Sequence, residues 1–184
     1  MNSISNHLII LALFACSFYI SLHSYSLTIE EAYSAIPHRR TEFDYNSAKM
    51  SLEEKTYLSE VFELTDLATI EKVNMLMWLG SNGQKGEVAK HYSNIISSLY
   101  NLNPPSGLDN FHNLIISSIK EQKETLFKWK ISSFDYSMIR SESLVRSSSK
   151  KLKSAYRILK KKYPGESSYN KRAFFDHLCA LDFI

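Results

Sequence analysis

Side chains able to do chemistry fall into three groups along this chain. His91, His112 and His177 each lie one helical turn from an aliphatic residue: Ile95, Ile115 and Leu181 respectively. Each is therefore expected on the apolar side of its own helix, and three imidazoles converging inside a bundle would make a zinc or copper site. Glu87, four residues before His91, and Asp109, three before His112, are the carboxylates that would complete it. The run Asp109-Asn110-Phe111-His112 has the spacing of half a carboxylate-bridged dimetal site, but the second such motif is missing. The competing expectation is separate core-edge histidines, each satisfied by a backbone group or a Tyr hydroxyl.

The second group is Pro37-His38-Arg39-Arg40-Thr41-Glu42-Phe43-Asp44. The cationic side chains of Arg39 and Arg40, the His38 imidazole and the carboxylates of Glu42 and Asp44 can together hold an anion or move a proton. The same residues can instead make a loop pinned by an Arg–Asp pair against the N-terminus of the next helix. The third group is electrostatic. Between Arg140 and Arg172 there are eleven Lys/Arg against two Glu, a net +9, so the rest of a +3 chain carries −6. Arg146, Lys150, Lys153, Arg157, Lys160 and Lys161 flank the apolar stripe of Leu152, Tyr156 and Leu159, giving a cationic amphipathic helix. Such a helix suits an anionic envelope component or an acidic protein. No aromatic residues interleave on its charged face, so there is no specific nucleic-acid signal. The bland alternative is a solvated face, its stems covering the core edge, that answers the acidic remainder of the chain.

Familiar catalytic signatures fail. Gly80-x-x-Gly83-x-x-Gly86 follows a helix, and Lys85 is followed by Gly86 where a phosphate loop needs Ser or Thr. Cys-x-x-Cys-His, His-Glu-x-x-His and Gly-x-Ser-x-Gly are all absent. With no complete catalytic set and no cofactor expected, a binding protein is the leading expectation. A metal-binding bundle or small hydrolase using core-facing histidines is the alternative. Two stretches, AIPHRRTEFD over Ala35–Asp44 and HLCALDFI over His177–Ile184, are motif-like without pointing to an activity.

The elements that must position these groups read as helices throughout. Thr28-Ile29-Glu30-Glu31 and Ser51-Leu52-Glu53-Glu54 are capping boxes. The first opens a short helix that must end before Pro37. The second opens a long helix to Leu79, apolar on several sides and so expected at the centre. Val88, Tyr92, Ile95, Ile96 and Leu99 form the inner face of a third helix. A fourth, capped by Ser106, turns Phe111, Ile115, Ile119, Leu126 and Trp129 inward. The basic helix runs from Ser143 to Tyr163, and a last one starts near Ser168. The Ser147-Ser148-Ser149 run is expected on a polar face.

Composition agrees. With 44% hydrophobic and 12% aromatic residues the chain can form a core, which argues against disorder. Five Gly and four Pro supply too few turns for a sandwich or barrel, and two Cys make no disulfide scaffold. Leu8–Leu22 is a fifteen-residue run without charge, shorter than the roughly 20 a membrane span needs. It reads as the core of a signal peptide over residues 1–26, cleaved after Ser26, with a lipid anchor at Cys16 as the alternative that bulky Phe14 disfavours. The expectation is thus a periplasmic or secreted all-α domain over 27–184. It would hold five to six helices, no transmembrane helix in the mature chain, and a lone, buried Cys179.

Overall fold

The computed structural model describes residues 27–36, 39–77, 85–128 and 142–182. The expected export segment with Cys16, and also His38 and Trp129, lie outside the described residues. The described residues form six helices and no strand: α1 (Ile29–Ser34), α2 (Leu52–Met77), α3 (Lys85–Asn101), α4 (Asp109–Lys128), α5 (Ser143–Lys162) and α6 (Ser168–Leu181). None is long and apolar enough to cross a membrane.

Both capping boxes form. Glu31 N–H donates to Thr28 Oγ1 at 3.2 Å while Thr28 N–H donates to Glu31 Oε2 at 2.8 Å. Glu54 N–H and Ser51 Oγ pair at 3.2 Å, and Ser51 N–H reaches Glu54 Oε2 at 3.0 Å. Each box satisfies orphan donors of a first turn. Ser167 Oγ likewise caps α6 by accepting from Asn170 N–H at 3.0 Å. The expected cap at Ser106 is displaced. Gly107 adopts φ +80°, a left-handed conformation that no helix can continue through, so α4 begins two residues later than Gly107, at Asp109.

Helix α2 packs against α1, α3, α4 and α6, while α4 and α5 share the most extensive seam. Leu58, Val61, Phe62 and Ala68 of α2 enter one cluster with Tyr92, Leu99, Phe111, Ile115, Leu159 and Phe174 from the other helices. Each large side chain buried there is worth about 1.5–3 kcal/mol. The middle of α2 is enclosed so fully that polar residues are buried too: Thr65, Asp66, Thr69 and Lys72. The threonines are satisfied locally, Thr65 Oγ1 donating to the Phe62 carbonyl at 2.8 Å and Thr69 Oγ1 to that of Thr65 at 3.0 Å. Asp66 and Lys72 must look elsewhere, and both turn to α6.

The serine run of α5 is not a solvated polar face. Ser148 and Ser149 are buried, because small residues let α5 approach α4 and α6 closely. Ser148 Oγ meets Ser118 Oγ at 2.6 Å, and Ser149 Oγ donates to Asp182 Oδ2 at 2.8 Å. The C-terminal carbonyls of α6, which have no partner within the helix, are claimed from two sides, by α2 and by α4. Lys72 Nζ donates to the Ala180 carbonyl and, at 3.1 Å, to that of Asp182. Gln122 Nε2 donates to the Leu181 carbonyl at 2.5 Å. Burial lowers the Lys72 ammonium to about 8, against the opposing pull of the Asp182 carboxylate.

Candidate functional site

Along α2, Ser59, Glu63, Asp66 and Ile70 recur every three or four residues and so share one face. That face is one wall of a cleft of about 320 Å³. The segment Arg40–Phe43 and Ile29 of α1 supply the opposite wall, and His177 of α6 contributes to the lining. Asp66, Phe62 and His177 are buried and form the floor; Glu42, Glu63 and Leu67 are exposed and form the rim.

Asp66 is the hub. Its Oδ1 accepts from the Tyr33 hydroxyl at 2.7 Å and from His177 Nδ1 at 2.7 Å. Its Oδ2 accepts from Arg40 Nε at 3.2 Å and lies 3.1 Å from Nη2. A carboxylate only accepts, so Nδ1 of His177 must carry the hydrogen. In the neutral ring Nε2 is then a bare acceptor, and this atom is buried without a hydrogen-bond partner. The ring stacks on Phe62, with centroids 4.7 Å apart and planes 8° from parallel. Burial and the adjacent Asp66 charge keep the Tyr33 phenol protonated far above its usual range. Arg40 is doubly paired, its Nη1 reaching Glu42 Oε1 at 2.8 Å. Chemically this is a histidine oriented by a carboxylate, with a free nitrogen and no hydroxyl nucleophile bonded to it.

The two motif-like stretches therefore meet: Arg40 from the first and His177 from the second share one carboxylate. Sequence reasoning singled out both but missed their common partner Asp66, and missed Tyr33. The available signal was an acid among the inward positions of α2, one turn after Phe62. Arg39 is exposed, and Asp44 is structural. Asp44 Oδ1 accepts the backbone N–H groups of Asn46 and Ser47, both at 3.1 Å, and its backbone exchanges two hydrogen bonds with the Asn170 amide. The segment is pinned, but by α2 and α6 rather than by its own Asp44 against the start of α2. Thr41 adds a buried bond to Asp176 Oδ2 at 2.5 Å.

The three histidines have separate partners. His91 is on the flank of the α3 stripe, not its centre; its side chain is 52% exposed and pairs with Glu71 Oε1 at 2.8 Å, not with Glu87. The expectation that it faces the core is thus corrected. His112 is buried, with Nδ1 2.9 Å from the Tyr57 hydroxyl. Burial lowers its pKa, the Asp109 charge opposing weakly. Among the described residues no three His, Cys, Asp or Glu side chains stand close enough together to hold a metal ion. Cys179 is half-buried rather than buried, and burial raises its thiol pKa, which disfavours the reactive thiolate.

On α5, Arg146, Lys150, Lys153, Arg157, Lys160 and Lys161 are all exposed, and none makes an ion pair among the described residues. Their neighbours behave differently. Lys151 Nζ pairs with Glu121 Oε1 at 2.6 Å, and Lys162 Nζ with Glu54 Oε1 at 3.0 Å. Lys160 Nζ lies 5.6 Å from the centroid of the Tyr156 ring.

Comparisons of the chain with protein-family models, with curated proteins and with solved structures return no match.

Proposed function

We propose that this chain is an exported helical binding protein that docks on an anionic envelope component through the cationic face of α5. One observation carries the reading: the basic residues of α5 divide into two sets. Lys151 and Lys162 are drawn to carboxylates of the bundle itself. The six flanking cations are exposed and make no ion pair among the described residues. If the arm existed to balance the acidic remainder of the chain, Glu71, Glu121 and similar groups would take more of it. A cationic surface held on one rigid helix instead creates a field that attracts anions collectively, each charge near an anionic surface being worth about 1 kcal/mol.

The test is reversal of Lys150, Lys153, Arg157 and Lys161 to Glu in one variant. These positions avoid buried Leu152, Ala155 and Leu159, so far-ultraviolet circular dichroism should be unchanged. Wild-type protein should bind vesicles containing phosphatidylglycerol and lose them as ionic strength rises past about 0.1 M, where screening acts over about 10 Å. The variant should not bind. Binding of wild type to an acidic polypeptide but not to vesicles would move the partner class to protein. Equal binding by variant and wild type would end the proposal.

A further inference from the structure

We infer that the cleft between α2 and the Arg40–Phe43 segment is a second, independent binding site, and that it takes a small primary ammonium carrying an aromatic or short aliphatic body. Three features of the cleft converge on that chemistry. The first is the unpartnered Nε2 of His177, buried in a side chain only 3% exposed. An unsatisfied buried acceptor lowers stability, and a ligand N–H reaching it would recover that loss. Asp66 cannot meet that need, because both of its oxygens are occupied and neither can donate.

The second feature is charge. Glu42, Glu63 and Asp66 line the cleft against the single guanidinium of Arg40. Arg40 is spent on Asp66 and Glu42. Glu63, exposed at the rim on the same face of α2 as Asp66, has no ion pair among the described residues. The cleft is therefore net negative, the opposite of the α5 surface, and disfavours carboxylate or phosphate ligands. The third feature is the apolar lining. Phe43 and Phe62 pack edge to face with centroids 5.6 Å apart, and half-buried Phe43 offers aromatic surface to an organic body. A volume of about 320 Å³ lies at the small end of ordinary ligand sites, which fits a single ring with a short amine arm.

Phenethylamine is the probe. Calorimetric titration into the full chain should show binding, with 2-phenylethanol and 3-phenylpropionate at least tenfold weaker, since neither satisfies both Glu63 and the acceptor. The imidazole nitrogen-15 resonances of His177 should move on addition of the amine. E63Q, at an exposed position that leaves the core untouched, should weaken the amine about fivefold, the scale of an exposed ion pair. Leu67→Trp, also at the exposed rim, should fill the cleft and abolish binding while leaving helix content intact. The α5 quadruple reversal should bind the amine as wild type does, which separates this site from the docking surface. Absence of binding at millimolar amine, equal affinity for amine and alcohol, or unchanged binding by the Leu67→Trp variant would each overturn the assignment.

Discussion

His177 donates its Nδ1–H to Oδ1 of Asp66 at 2.7 Å, across 111 residues of chain and between side chains that are both more than nine-tenths buried. The bond ties α6 to the middle of α2 and fixes which nitrogen of the ring is left over.

Removing the shared carboxylate should therefore be costly. Asp66→Asn keeps the shape but sets an amide NH₂ against donors from Arg40, Tyr33 or His177. The expected loss is about 3–5 kcal/mol, the range for breaking one side of a buried charged network. Urea denaturation followed by circular dichroism measures it. A loss below about 1 kcal/mol would show that the cluster bears little of the stability.

Lys72 predicts an alkaline rise. Its pKa is about 8 in the fold against 10.5 for a solvated lysine. Between those values the unfolded chain holds more protons than the folded one, so stability increases with pH. The Cys179 thiol, raised by burial above 9.0, opposes this once the unfolded thiol begins to ionise, which leaves a clear window between about 8 and 9. Across it the urea midpoint of wild type should climb, and that of Lys72→Met should stay level or fall. Parallel curves would refute the assignment to Lys72.

His112 governs the acid side. Burial holds its folded pKa below 6.5, so on acidification the unfolded chain takes the proton first. Its contribution is fully present above 6.5 and is lost as pH falls toward the folded value. Thermal unfolding of His112→Gln should show a shallower fall than wild type over this interval. An unchanged slope would place the dependence elsewhere.

How much of this was legible in the sequence depended on how local the signal was. Capping boxes and apolar stripes are set by residues three and four apart, so five of the helices could be placed nearly as they form. The exception at α4 is the single backbone choice of Gly107. The basic face of α5 was legible for the same reason: all six cations stand on one short periodic segment. The cleft was not. Arg40 and His177 could be picked out by residue type, but their meeting depends on Asp66, whose inward position one turn after Phe62 does not say which distant residues it meets. The serines of α5 misled for a related reason. A small hydroxylated residue reads as polar until a second helix comes within reach of its oxygen.

Lys72 and Asp66 also set an order of events during synthesis. Both are buried on α2, and their partners on α6 are made 108 and 111 residues later. At roughly 5–20 residues per second a ribosome needs roughly 5–20 s to cover that distance. Until α6 emerges, closing the bundle around α2 would strand the Lys72 ammonium away from water, while Asp66 would have only Tyr33 and Arg40, so hydrated and open states are favoured over premature collapse. The groups that complete the fold are thus the ones that hold it back until α6 has been made.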